Sequence, residues 1–238
     1  MNLGFHDEPP AAGPLEQRRV LRLDARSVSG ARGARKPIVS EMLDALAAEA
    51  ARRGVPRIGL VNGDIVVTPA AVERATATPR PALAFSRTDV DPGGPESQLL
   101  YGADMFTFDV DFWRRRRRRF RAYILGEAVW DNVYAAVIAC HGGTLVNRER
   151  LILHPHHATG FLDSPYAPYV HLLAARDRSY FSLWCAYVAR AETLRAAGGT
   201  PDEEEALQRE VFTAPGLAAA AGDVARAIWW RAKRRLRA

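Results

Sequence analysis

Ile58-Gly59-Leu60-Val61-Asn62-Gly63-Asp64-Ile65-Val66-Val67 is an apolar run that stops for three polar or small residues and then resumes. The apolar part reads as a buried strand. An acidic side chain inside such a strand costs on the order of several kcal/mol unless it is paired, hydrogen-bonded or on a cation. Asp64 is therefore expected where the strand emerges at a site. Asn-Gly is also a strong hairpin signal, so a plain turn is the alternative; the apolar flanks on both sides favour the site edge. An acid at a strand end suits a hard divalent cation bridging an anionic ligand, because carboxylate oxygen matches magnesium or manganese.

Working outward, the chain alternates strand-like and helix-like stretches. Residues 1–16 are rich in proline, glycine and acids and read as a flexible N-terminal arm. The first strand candidate is Val20 to Leu23, followed by a basic, glycine-bearing loop from Ser29 to Lys36. Pro37 then opens a helix with apolar positions Ile38, Met42, Leu46 and Ala50, which Gly54 ends. After the Asp64 strand, Pro69 starts a short helix, Ala82 to Phe85 is a strand, Asp91 to Glu96 a turn-rich loop, and Met105 to Phe108 another strand. Trp130 to Ala139 reads as a helix and Leu151 to Leu153 as a strand delivering His154, Pro155, His156 and His157. From about Ser179 onward the pattern is helical, with breaks at Gly198-Gly199 and Pro215-Gly216. The alternation predicts an α/β sheet followed by a helical extension.

The chain's 238 residues and 48% hydrophobic content suffice for a substantial core. Its two cysteines, Cys140 and Cys185, sit in apolar helical contexts without a pairing pattern and read as reduced core residues. No apolar run approaches the roughly 20 residues that span a bilayer, and the N-terminal residues lack the pattern of a signal peptide. The cytoplasm is the expected compartment. The net charge of +6 is almost all arginine, which favours anionic partners weakly.

Three further features carry chemistry. His154-Pro155-His156-His157 places three imidazoles in four residues after a strand, which suits a metal or phosphate role without matching a zinc spacing. Trp130-Asp131-Asn132 opens a helix: Asp131 or Asn132 caps it, or Asp131 accepts a proton from a substrate hydroxyl. Arg114 to Arg119 is an unbroken run of six arginines between Trp113 and Phe120. On a helix these point all round, so most are solvated, and the interleaved aromatics that base stacking needs are missing. Nucleic acid is therefore not the expected partner.

Taken in order, several stretches resemble bacterial glycosyltransferases of the GT-A type, the nucleotide-diphospho-sugar transferase fold. They are Lys36-Pro37-Ile38-Val39-Ser40-Glu41-Met42-Leu43-Asp44, Val61-Asn62-Gly63-Asp64-Ile65, Gly102-Ala103-Asp104-Met105-Phe106-Thr107-Phe108, Gly126 to Asn132, and His154 to His157. The resemblance covers roughly residues 30 to 160. It implies a GT-A-like, Rossmann-like mixed central sheet with flanking helices over residues 17–175 and a helical C-terminal extension over 176–238.

The implied activity is transfer of a sugar from a nucleotide-diphosphate donor to an unknown acceptor, assisted by a divalent metal, Mn2+ or Mg2+. By the same resemblance Asp64 holds the cation on the donor diphosphate, Asn62 lines the donor site, and His154 or His156 completes the metal shell. Asp131 is the acceptor-side base, with Trp130, Asn132 and Asp104 as acceptor-pocket residues, while Arg32, Arg35 and Lys36 lie where their loop approaches phosphate. Two departures stand out. Asn62 replaces the second acid usual in the family's motif, and only about 20 residues precede Val20 where the family has nucleotide-binding strands. A truncated or inactive relative acting as a binding protein is thus the nearest alternative, followed by a metal-dependent phosphoesterase or a nucleic-acid-binding module.

Overall fold

The computed structural model describes residues 1–9, 13, 15–90, 97–98, 102–155 and 164–213. In chain order its elements are β1 (Asn2–Phe5), β2 (Gln17–Leu21), α1 (Ala25–Ser29), α2 (Val39–Arg53), β3 (Arg57–Val61), β4 (Val66–Val67), α3 (Pro69–Ala77), β5 (Ala82–Phe85) and β6 (Thr88–Val90). There follow β7 (Ser97–Gln98), β8 (Met105–Asp109), α4 (Val110–Arg116), α5 (Trp130–Cys140), β9 (Thr144–Val146), β10 (Ile152–Pro155), α6 (Ala167–Arg176), α7 (Arg178–Ala196) and α8 (Pro201–Val211). The protein is mixed α/β. The expected loop over Asp91 to Glu96, His156, His157 and the Pro215-Gly216 break lie outside the described residues. Among the described residues no helix is long and apolar enough to cross a membrane.

The chain divides into two compact units, each assembled from separate segments. The described residues of Met1–Leu60, Phe108–Trp130 and Ala158–Leu173 form one, and those of Val61–Thr107, Asp131–His157 and Ala174–Ala238 the other. This division differs from the expected succession of arm, α/β domain and extension, which followed the order of the sequence.

In the first unit β1 runs parallel to β2, with Asn2 opposite Gln17. Residues 2–5 are thus a strand where an arm was expected: Phe5 is buried, with the Arg35 guanidinium 3.8 Å above its ring. In α2 the buried positions are Val39, Ser40, Leu43, Ala47 and Ala50 rather than the expected Ile38, Met42 and Leu46 stripe with Ala50. Ile38 is extended and forms a bridge with Ile124, so the helix begins at Val39, two residues after Pro37, and Ile38 is buried ahead of the helix. Gly54, at φ 67°, ends the helix in the left-handed conformation that favours glycine. Phe108, Phe112, Trp113 and Phe120 form an aromatic cluster with ring centroids 5.0–6.3 Å apart.

In the second unit all four residues of β5 are buried, and β5 pairs in parallel with β9, Leu83 opposite Thr144. On its other side β5 neighbours β8. The Asp104 N–H donates to Phe85 O at 3.0 Å, so the start of β8 lies beside the end of β5 and the two run in opposite senses. A second sheet has the order β4-β10-β6-β7, with β10 antiparallel to β4 and parallel to β6. Ala71, Ala75, Leu83, Phe85, Met105, Val146, Leu151 and Ile152 make the apolar core there.

The C-terminal helices are built into this unit by polar contacts. Gln208 of α8 donates to Leu145 O and accepts from Leu145 N, satisfying the outer edge of β9. Glu204, buried at 2% exposure, accepts from Arg195, Arg148 and Tyr187. Tyr187 accepts from Asn147, which in turn accepts from Ser86 Oγ at the end of β5.

Candidate functional site

The second unit gathers six polar residues from four separate parts of the chain. β3 ends at Val61, and a tight turn follows in which Ile65 N donates to Asn62 O at 3.3 Å. This turn carries Asn62 and Asp64. Where β5 leaves one sheet and the chain enters the other as β6, it carries Arg87 and Asp89; Asp104 immediately precedes β8, and His154 lies within β10. His154 was expected beyond its strand. It is instead a strand residue, 1% exposed, because β10 extends from Ile152 to Pro155.

The parallel register of β10 and β6 makes His154 and Asp89 direct neighbours, and His154 Nδ1 lies 2.8 Å from Asp89 Oδ1. The other ring nitrogen, Nε2, lies 3.4 Å from Asp64 Oδ2, whose carboxylate is 44% exposed. Arg87 Nε donates to Asp89 Oδ1 at 2.8 Å and its Nη1 to Asp104 Oδ2 at 3.2 Å. Asn62 Nδ2 donates to Asp104 Oδ1 at 2.6 Å. The contacts thus run from Asn62 through Asp104, Arg87, Asp89 and His154 to Asp64, two residues from where they began. Burial pushes the Asp104 carboxyl above its usual range, while Arg87 and Asn62 pull it down.

Of the residues expected at a site, the structure brings Asn62, Asp64, Asp104 and His154 together. Asp104, expected in an acceptor pocket, has both oxygens engaged beside the Asn62–Asp64 turn. Arg87 and Asp89 were missed. The available signal was two charged residues separated by one, directly after an apolar strand, a spacing that places both on one face if the chain stays extended.

A carboxylate and an imidazole 3.4 Å apart fit a divalent cation. Two adjacent ligands of one octahedral ion, with bonds of about 2.1 Å, lie roughly 3 Å from each other, and substrate phosphates commonly complete such a shell. The mixed nitrogen and oxygen donors favour manganese over magnesium. Among the described residues no group of three or more His, Cys, Asp or Glu is arranged to hold a metal ion. The geometry shows why Asp89 does not make a third ligand: it engages Nδ1, on the far side of the ring from Asp64.

Asp131 sits at the second position of α5, inside the first turn, where its charge complements the helix N-terminus. Asn132 Nδ2 lies 3.2 Å from its Oδ2. A Cβ added at Gly102 would come within 2.5 Å of the same oxygen, so glycine at 102 leaves room for the Asp131 carboxylate. Trp130 is buried. Val129, just before the helix, has φ 78°, a strained conformation for a β-branched residue.

The loop cations belong to the first unit, and two of them have partners described there. Arg35 bonds Asp24 and Asp7 at 3.1 and 2.6 Å, Lys36 donates to Glu127 at 2.6 Å, and Arg32 is exposed. The arginine run continues from α4 into a single 3-10 turn over Arg117–Arg119. Arg117 is anchored on Asp44 and lies over the Trp113 ring; the other five are exposed. Cys140 and Cys185, both partly buried, are not in a disulfide, and burial pushes the Cys140 thiol up to about 12.

No protein-family model, no curated protein and no solved structure matches the chain significantly.

Proposed function

We propose that the protein is a glycosyltransferase that moves a sugar from a nucleotide-diphosphate donor to an acceptor hydroxyl with the help of a divalent cation, in the cytoplasm. One observation carries the reading. Asn62, Asp64, Asp104 and His154, which the motif order assigns to donor, metal and acceptor roles, meet in a single bonded cluster although they are spread over more than ninety positions of the chain.

In this reading Asp64 and His154 Nε2 hold the cation, Mn2+ in preference to Mg2+. When bound, the cation supplies charge neutralisation for the diphosphate that leaves the sugar. Arg87 adds a fixed positive charge to the same cluster and keeps Asp89 and Asp104 in place. At the acceptor side the Asp131 carboxylate takes the proton of the attacking hydroxyl as the new bond to the sugar forms and the bond to the diphosphate breaks. The amide of Asn132 and the space left by Gly102 set the position of that carboxylate.

The test is a thermal-shift panel of nucleotide-diphosphate sugars with and without manganese. A donor at about a hundred times its Kd stabilises the native state by about 2.7 kcal/mol, which corresponds to a rise in Tm of roughly 5–10 °C for a chain of this size. The rise should require manganese and be lost in Asp64→Asn. If no nucleotide sugar raises the melting temperature in either condition, the transferase reading fails.

A further inference from the structure

We infer that Asp89 is a positioning residue for the cation site, holding the His154 imidazole by Nδ1 so that Nε2 is presented toward Asp64. The inference rests on the metal-assisted reading above and adds to it a residue that no motif marks. Three observations carry it. First, the site's imidazole is 1% exposed, so its orientation is set by protein groups rather than by water. Second, two carboxylates flank this ring: Asp89 Oδ1 at 2.8 Å from Nδ1 and Asp64 Oδ2 at 3.4 Å from Nε2. The shorter contact is the hydrogen bond, so Nδ1–H donates to Asp89 and Nε2 is the nitrogen turned toward Asp64 and the cation site. Third, Asp89 is itself fixed. It is the register partner of His154 on the adjacent parallel strand, and the oxygen that accepts from the ring also accepts from Arg87 Nε at 2.8 Å.

The consequence is specific to metal binding. With the proton on Nε2, the ring would donate toward Asp64 and the two groups would satisfy one another instead of sharing a cation. Carboxylates that accept from the non-ligating nitrogen of a metal-binding histidine fix its tautomer, and their loss costs about 10–100-fold in metal affinity. Arg87 extends the same restraint to Asp104 and, through it, to Asn62.

The experiment measures manganese binding, with manganese chloride alone as the probe, by electron paramagnetic resonance of the free ion. The samples are the full chain and its Asp89→Ala, Asp89→Asn and Asp64→Asn variants, with folding checked by circular dichroism. Asp89→Ala should weaken binding by about 10–100-fold. Asp89→Asn, whose amide oxygen still accepts from Nδ1–H, should retain most of the affinity, and Asp64→Asn should lose it. Nitrogen-15 NMR of the metal-free wild-type protein should show a proton on His154 Nδ1. An unprotonated Nδ1 there overturns the inference without any variant, so it stays testable even if Asp89→Ala does not fold. Manganese binding that Asp64→Asn abolishes and folded Asp89→Ala leaves intact overturns the role of Asp89 while the metal reading stands. A wild-type chain with no affinity for manganese overturns both.

Discussion

Replacing Glu204 with glutamine tests whether the buried ion cluster of the C-terminal helices holds the second unit together. The Glu204 carboxylate is 2% exposed. Burial alone would raise its pKa, but donation from Arg195, Arg148 and Tyr187 outweighs burial and holds the group at about 2 against an ordinary 4.5. That lowering corresponds to roughly 3 kcal/mol of preference for the ionised carboxylate in the folded state. Because the folded pKa is the depressed one, this stability is fully present above pH 4.5 and is lost as pH falls toward about 2. Glu204→Gln keeps the shape but leaves two partly buried guanidinium groups facing a neutral amide. The expected loss near neutral pH is about 3 kcal/mol, at the lower end of what breaking a buried pair costs. Urea unfolding of both proteins at several pH values measures it. The gap between them should be widest near pH 7 and narrow steadily below about pH 4.5, as the unfolded wild-type chain takes up on Glu204 a proton that the folded chain does not bind until about pH 2. A gap under about 1 kcal/mol near neutral pH, or one that does not change with pH, would refute the reasoning, since exposed pairs contribute no more than that.

Asp131→Asn should lower turnover by roughly a hundredfold or more, as loss of a general base does, while the manganese-dependent thermal shift with donor persists; unchanged turnover would reduce Asp131 to a charge at a helix terminus. Gly102→Ala should act in the same direction in a kinetic assay, because its Cβ would come within 2.5 Å of Asp131 Oδ2 and displace the carboxylate; full activity there would detach Asp131 from the chemistry. Val129→Gly should raise the unfolding free energy measured in urea by on the order of 1 kcal/mol, since glycine adopts the φ of 78° without the strain valine bears. A loss of stability would show that the valine side chain contributes more than its backbone costs. Changing Arg115, Arg116 and Arg118 together to glutamine should leave donor-induced stabilisation intact, because all three are exposed. Salt-steep duplex binding by the parent that this variant loses would point instead to a nucleic-acid footprint.

Local structure was legible where local rules decide it. Pro69 is expected to start a short helix and does, with the Thr68 hydroxyl accepting from Ala71 N–H ahead of it, and the expected break at Gly198-Gly199 falls between α7 and α8. Ala82 to Phe85 reads as a buried strand and is one, since a short apolar run has few alternatives. The two-unit division was not legible, because each unit is made of segments far apart in sequence, and periodicity carries no information about which segments pair. Glu204 shows the same limit at one residue. It lies in the acid-rich first turn of α8, where a solvated face is the natural reading; it is buried only because Arg148 and Arg195 converge on it.

The amide at position 62, where the transferases that the sequence resembles usually carry a second acid, has a physical account that the folded chain supplies. Asn62 Nδ2 lies 2.6 Å from Asp104 Oδ1, and Asp104 is itself buried and pushed toward its neutral form. An aspartate at 62 would set two carboxylates at hydrogen-bond distance in a site that already holds Asp64 and Asp89, and such a pair requires a shared proton or a cation. An amide removes the repulsion and donates the bond that Asp104 lacks. Asn62 thus stabilises the ionised form of Asp104, which in turn anchors Arg87, and Arg87 anchors the Asp89 that faces His154. The other carboxylate on this turn, Asp64, lies outside that chain of bonds to Asp104 and keeps its own exposed approach to the imidazole.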